Sequence, residues 1–447
     1  SRVKEEDRIK EDRFKEQGER IKTGLRIKGK TRKMKDSGVE WIGEIPEDWE
    51  VRKYKNFAIS GMGNTILKEE LAEKGIPVYS ATRDDVVFGY LEKPNLVLNK
   101  GDFVIPARGN SIGYMYMIRE EKATCTQTTI YSRIKNINKR FLLYCGKGLR
   151  NYWFEFDNTA IPQITVNQVQ NNIVPFPTFE EQEKIANFLD EKVSLIDYTI
   201  EKTKQSIEDC KKYKQALITE TVTKGLNPDV EMKQSGIEWV GEVPKHWRII
   251  RIKHLATVNP NKSEIKHLSL DSEVTFIPME KIIGPGQVDY SLSNTIENLI
   301  NGYTYFKDGD IIMAKVTPCF ENSNIAIVNG MKNGIGFGTT ELHVLRCNSR
   351  CYNRFLFYYL QSNIFKSKGI SEMYGVAGLK RIPTDFILNY KLGIPDYQEQ
   401  EQIALYLDNI TGKIDTLISD IQTQIDKLRE YRQSIISEAA TGKIKVL

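Results

Sequence analysis

The sequence predicts an α+β chain built by duplication, in which a mixed α/β module followed by a long helix occurs twice in tandem. Three observations carry that prediction. SGVEWIGEIPEDW at 37–49 returns almost unchanged as SGIEWVGEVPKHW at 235–247. FPTFEEQEKIANFLDEK at 176–192 returns as IPDYQEQEQIALYLDNI at 394–410. Between opening and tail the copies diverge. They keep only islands such as a Gly-Asp turn (GDFVIPARGNSIG, 101–113; GDIIMAKVTPCFENSN, 309–324) and RFLLY (140–144) against RFLFY (354–358). A period near 200 residues is far too long for a solenoid, so the unit of repetition is a whole domain pair. In chain order this predicts a charged extension (1–33), a first module (34–175), a first long helix (176–226), a second module (227–393) and a second long helix (394–447).

The extension is set apart by charge. Residues 1–35 hold 14 Lys/Arg and 7 Asp/Glu of the chain's 64 and 59, so they carry +7 and the remaining residues −2. Such a run reads as a mobile, solvated lead. The body is not generally basic, so contact with nucleic acid would need local patches or a basic partner. The charged N-terminus lacks a secretory pattern, and no apolar run has the length of a membrane span. A cytoplasmic protein with no membrane contact is expected. The cysteines form no CxxC pair and the histidines are scattered, which predicts free thiols and no metal site.

Each module opens on a Trp-rich motif, with Trp41, Ile42, Ile45 and Trp49 around Pro46 in the first copy. Large aromatics in such a cluster read as an anchor closing the start of the module. Short apolar runs at Phe103–Ala107, Tyr114–Ile118, Ile311–Ala314 and Ile325–Val328 read as strands, and RFLLYCGKGL and RFLFYYLQSN as helices. The loops between strands carry the side-chain types that hydrogen-bond base edges and grip phosphates. In the first module these are Arg108, Asn110 and Ser111, then Thr126, Gln127 and Thr128, and Gln163 near the exit. In the second they are Lys315, Thr317, Asn322 and Ser323, then Thr339 and Thr340, and Lys380 and Arg381 near the exit.

The tails read as helices of about 45 residues. Thr178 with Glu181, and Asp396 with Glu399, are capping-box starts behind Pro177 and Pro395. An apolar seam then recurs at spacings of four and three through Leu189, Ile196, Ile200, Ile207 and Leu217, and through Leu407, Ile414, Ile418, Ile425 and Ile435. Lys214 and Arg432 occupy the same seam position in the two copies, where a basic residue would set register. Gly225 and Gly442 stand where C-terminal caps belong. Each stripe needs a partner, and its twin is in the same chain, so an antiparallel coiled coil with pseudo-twofold character is expected.

With these openings, helix starts and module order, the chain resembles the specificity subunit of a type I restriction–modification system, over nearly everything from residue 34 onward. The resemblance implies that each module is a target recognition domain reading one half of a bipartite double-stranded DNA site. It implies that the coiled coil sets the spacing of the halves and helps dock two methyltransferase subunits. Those partners would carry S-adenosylmethionine and methylate adenine. Restriction subunits using ATP and Mg can join, and this chain itself would hold no cofactor. Because the modules differ strongly, an asymmetric target follows.

Two decoys fall away. GLRIKGKT (24–31) matches a P-loop pattern, but neither the preceding strand nor the following apolar helix that the mechanism needs is present. Asp102, Glu120 and Lys122 loosely suggest a nuclease triad, yet the second copy keeps only Asp310. The tripeptides around Asn227–Pro228 and Asn259–Pro260 do not complete a methyltransferase tetrad. The alternatives to a non-catalytic reader are a stand-alone DNA nuclease or modification enzyme, and a duplicated protein-binding scaffold.

Overall fold

The computed structural model describes residues 32–82, 86–109, 111–154, 163–375 and 379–446. The P-loop-like stretch and nearly all of the charged extension lie outside them. The chain divides into two compact units, residues 1–203 with 424–447 and residues 204–423.

The divergent modules share one topology. In the first, the strands Ala58–Met62, Thr129–Ile134, Phe103–Pro106 and Tyr116–Met117 form an antiparallel sheet in that order. In the second, the same sheet runs Ala256–Val258, Leu342–Cys347, Ile311–Ala314 and Ile325–Ile327. Each module adds a second four-stranded sheet: Val87–Leu91, Ile76–Tyr79, Lys122–Cys125, Leu98–Asn99 in one, and Ser293–Thr295, Glu273–Ile277, Ile335–Gly338, Thr304–Lys307 in the other. The pair at the centre of that sheet is parallel in both. The central strands Phe103–Pro106 and Ile311–Ala314 are buried along their whole length, which is why they read as continuous apolar runs. Each module is closed by pairing its early strand with its last: Glu50–Lys53 with Ile173–Phe176, and Arg248–Arg251 with Lys391–Ile394.

The Gly-Asp island is the turn before each central strand. Gly101 and Gly309 have φ of +85° and +88°, a conformation that glycine adopts without steric cost. The Asp102 carboxylate accepts from the backbone N–H of Asn99 at 2.9 Å, and Asp310 accepts from Lys307 at 2.9 Å. Asp102 is thus spent on the turn, while Glu120 accepts from the Tyr79 hydroxyl at 2.8 Å. Among the described residues no group of three or more His, Cys, Asp or Glu could hold a metal ion.

The described helices are α1 (Lys139–Trp153), α2 (Val166–Asn171), α3 (Phe179–Lys224), α4 (Ile296–Leu299), α5 (Asn353–Gln361), α6 (Asn363–Glu372), α7 (Thr384–Asn389) and α8 (Tyr397–Ala440). With 46 and 44 residues, α3 and α8 are each roughly 65–70 Å long. Gly225 and Gly442 end them with φ of +79° and +74°, as expected. No helix among the described residues is long and apolar enough to cross a membrane.

The two long helices run antiparallel in both units. In the first unit Trp49 donates to Glu181 at the start of α3 and lies against Gly442 at the end of α8, while Asp197 farther along α3 meets Arg432 farther back on α8. In the second, Trp247 donates to Glu399 at the start of α8 beside Gly225 at the end of α3, and Asp415 meets Lys214. Leu189, Ile196, Ile200, Ile207, Leu407, Ile414, Ile425 and Ile435 of the seam are buried. Leu217 and Ile418 are only half-buried. Near the end of α3 the buried face turns to Ile218 and Val222, which join a core with Trp247, Leu392 and Leu407. There α3 packs on the second module as well as on α8, so a wider face than a heptad seam is covered.

The repeated sequence islands are the parts that hold module to helix. Glu181 and Glu399 do not reach back to the cap backbone as a capping box requires. The indole N–H groups of the buried Trp49 and Trp247 take them instead, at 2.9 and 3.2 Å. Only the forward half of the box forms, Thr178 and Asp396 accepting from the backbone N–H of Glu181 and Glu399. Gln182 accepts from the backbone N–H of Asn138 at 2.8 Å, and Gln400 does the same for Tyr352 at 2.8 Å. From RFLLY, Arg140 and Tyr144 both donate to Asp190, and from RFLFY, Arg354 and Tyr358 both donate to Asp408. At the boundary between extension and module, Arg32 pairs with Glu181 and with Asp48 and stacks over Trp49.

Candidate nucleic-acid interface

In both modules one face is built from three chain segments laced together by backbone hydrogen bonds. In the first module, the N–H of Ala107 donates to Thr128 O at 2.8 Å and the N–H of Ile164 donates to Ala107 O at 2.9 Å. This joins the loop after the central strand, the turn at 126–128 and the module exit. In the second, the N–H of Lys315 donates to Glu341 O at 3.0 Å and the N–H of Ile382 donates to Lys315 O at 2.9 Å. The single β-bridges Arg108 with Gln163 and Val316 with Arg381 mark the same junction in each copy.

The frame brings most of the sequence candidates together. In the first module Arg108, Gln127 and Gln163 are exposed on it, and Thr128 is half-buried. Gln127 accepts from the Thr65 hydroxyl at 2.9 Å. Ser111 and Thr126 are buried, at 4% and 5% exposure. The Thr126 hydroxyl is engaged with Ser80 and Thr128 at 3.1 and 2.8 Å, so both residues shape the loop from inside. Asn110 lies outside the described residues.

In the second module Lys315, Thr317, Thr339, Thr340, Lys380 and Arg381 gather on the frame. The N–H of Thr317 donates to Lys380 O at 3.0 Å, and the N–H of Lys380 donates to the Thr317 hydroxyl at 3.1 Å. The Thr339 hydroxyl accepts from the N–H of Glu341 at 3.2 Å. Asn322 and Ser323 sit at the other end of the same loop, where the N–H of Asn322 donates to Pro318 O and that of Ser323 to Phe320 O.

Sequence reasoning missed Glu341 and His343. Glu341 accepts from Nε and Nη2 of Arg381 at 2.8 and 2.9 Å. That guanidinium holds the Glu341 carboxyl below the usual carboxylate range. His343 is buried under the face, its Nε2 within 3.0 Å of Ile382 O. Since a carbonyl only accepts, Nε2 carries the proton, and Nδ1 has no hydrogen-bond partner. Burial pushes this imidazole down to about 4. A neutral histidine on the strand Leu342–Cys347 has no sequence signature; only the fold puts it under Ile382.

Comparison with known proteins points one way. A family described as the type I restriction modification DNA specificity domain matches residues 46–209 and 244–427. The specificity subunit of the EcoAI type I restriction enzyme of Escherichia coli is 37% identical over 198 residues, 44% of this chain and 33% of that one. The EcoEI subunit of the same organism is 36% identical over a similar span. The match therefore covers about a third of the length of those two relatives. The MjaVIII specificity subunit of Methanocaldococcus jannaschii is 25% identical across 90% of this chain and 94% of its own. Among solved structures, the HsdS subunit of Thermoanaerobacter tengcongensis shares the fold with a TM-score of 0.51 at 16% identity, covering 89% of this chain and 98% of that one. A chain from work on complex assembly and conformational transition of the type I R-M system shares it with a TM-score of 0.64 at 15% identity, covering 89% and 99%.

Proposed function

Because the chain belongs to the type I restriction modification DNA specificity family, we propose that it is the non-catalytic, DNA-reading subunit of a cytoplasmic type I complex. Each module reads one half of an asymmetric, bipartite double-stranded site, and the paired helices set the spacing between halves. The chain recruits two adenine methyltransferase subunits, which bring S-adenosylmethionine, and restriction subunits that use ATP and Mg. One observation carries the reading: two backbone frames with the same hydrogen-bond plan present different side chains, Arg108, Gln127 and Gln163 on one and Lys315, Thr317, Lys380 and Arg381 on the other. Identical frames with different tips suit two readers of different bases.

The experiment is sequencing of methylated adenine in cells carrying this chain with a methyltransferase of its system. A split, asymmetric motif that disappears on deletion of this chain, and of which replacement of residues 34–175 alters one half only, supports the proposal. A motif indifferent to the chain sinks it in favour of a protein scaffold. DNA cleavage or methylation by the isolated chain sinks it in favour of an enzyme.

A further inference from the structure

We infer that Arg381 is the base-reading residue of the second module, presenting its guanidinium to a guanine, and that Gln163 occupies the corresponding post in the first. The inference rests on the reading that the laced faces meet DNA.

Position comes first. Gln163 and Arg381 are each the exit residue in the single bridge to the loop after the central strand. The next residue, Ile164 or Ile382, is buried and donates to the carbonyl of Ala107 or Lys315. The two side chains therefore leave the same point of the same frame, and both are exposed. Glutamine pairs in bidentate fashion with adenine N6 and N7, and arginine with guanine O6 and N7. One structural post thus holds the two side chains suited to the two purines.

Orientation comes second. Of the five N–H donors of a guanidinium, Glu341 takes one on Nε and one on Nη2. The donors that remain are on Nη1 and on the outer side of Nη2, and these form the parallel fork that matches guanine O6 and N7. The same fork also fits a phosphate; a base contact differs in that its loss alters one position of the motif, whereas loss of a phosphate contact weakens every sequence alike. The backbone is held as firmly as the side chain. The N–H of Arg381 donates to Tyr374 O at 2.9 Å, the N–H of Tyr374 donates back to Arg381 O at 3.2 Å, and His343 holds the Ile382 carbonyl from below. A preorganised donor loses less entropy on binding. His343 is accordingly a positioning residue, acting through Ile382.

The test is sequencing of methylated adenine in cells carrying the full chain and its methyltransferase. Wild type is compared with Arg381→Lys, Arg381→Gln, Glu341→Gln and Gln163→Arg. The wild-type motif should hold a fixed guanine in one half-site. Arg381→Lys and Arg381→Gln should both relax that position, by roughly 5- to 150-fold in relative modification. Glu341→Gln should relax it less. The other half-site stays unchanged in these three, which shows that the variant folds and assembles, and Gln163→Arg changes only that other half. Retention of the wild-type motif by Arg381→Lys and Arg381→Gln alike overturns the inference, because nothing at this position then reads the base. An even loss of modification at every sequence in Arg381→Gln overturns it as well. A wild-type chain that directs no split motif overturns the DNA-reading proposal itself, a result distinct from a split motif that Arg381 does not influence.

Discussion

Lys214 donates to both carboxylate oxygens of Asp415, at 2.6 and 2.7 Å, and the counterpart residues Arg432 and Asp197 make the same pair with the helices exchanged, at 2.7 and 3.1 Å. Each basic seam residue thus takes the aspartate that belongs, in the repeat, to its twin. The antiparallel register of α3 and α8 is specified at two places by one rule.

Reversal of one charge should be felt, modestly, because Asp415 is more than half exposed. Lys214→Glu should cost about 0.5 kcal/mol of the stability of the second unit, and Lys214→Glu with Asp415→Lys should recover most of it. A double-mutant cycle by urea denaturation measures this. Strict additivity of the two changes would remove the pair from the register argument.

The clamps between RFLLY or RFLFY and the helices should matter more. Asp408→Ala strips the acceptor from Tyr358, bonded at 2.7 Å, and from Arg354. A loss of about 2 kcal/mol in the second unit is expected, and the same for Asp190→Ala in the first. Limited proteolysis at each module–helix junction reads the outcome locally.

The strongest single dependence in the second module should be on Arg346. It binds both oxygens of the buried Asp310 at 2.7 Å and also pairs with Glu264. Arg346→Met leaves Asp310 buried and uncompensated, which costs about 3–5 kcal/mol. Arg346→Met with Asp310→Asn should be less damaging than the single change. Calorimetry of the full chain would resolve the second unit's transition moving alone.

His343 predicts a pH dependence of the second unit. Its folded-state value of about 4 lies below the ordinary value near 6.5, so the unfolded chain takes up the proton first as pH falls. Stability is full above about 6.5, declines between about 6.5 and 4, and loses on the order of 3 kcal/mol by the lower limit. Carboxylates add to this: Glu341 and Glu264 have lowered values, so the stability they contribute is present above the unfolded carboxylate value near 4.3 and is lost as pH falls through their folded ones. His343→Gln should remove the decline that begins near pH 6.5 and leave the acid limb. A melting-temperature series from pH 7.5 to 4 distinguishes the two, and an unchanged profile in the variant would refute the assignment.

Electrostatics of the body predicts the behaviour of the isolated chain on DNA. Outside residues 1–35 the net charge is −2, so few phosphates can be neutralised without partners. Binding by the chain alone should be weak, and binding by the complex with methyltransferase should be tighter and have a steeper logarithmic dependence on salt. Fluorescence anisotropy at several salt concentrations tests it, and equal slopes with and without the partner would contradict the charge argument.

Much of the architecture is legible in the sequence. The duplication, the long helices with Gly225 and Gly442 as caps, and the buried central strands all follow from local signals: repetition, heptad spacing, glycine at a left-handed position and continuous apolar runs. Candidates on the two faces were partly legible, because Arg108, Gln163, Lys380 and Arg381 stand in short polar loops between recognisable strands. Ser111 and Thr126 show the limit of that reasoning. Their side chains are of the right type, but a hydroxyl is equally suited to bracing a loop from inside, and sequence cannot distinguish the two faces of an irregular turn.

By itself the sequence determined which segments repeat, which become helix and which apolar residues must be covered, because those are properties of neighbours along the chain. Only the tertiary structure decided that two modules with little sequence in common share a strand order, that Glu181 and Glu399 serve tryptophans instead of helix caps, and that Glu341 aligns Arg381. These depend on groups 40 to 152 residues apart meeting at hydrogen-bond distance. A directional contact of that kind leaves no periodicity in the chain, and a buried indole N–H or an exposed guanidinium finds its acceptor only once the fold has set both in place.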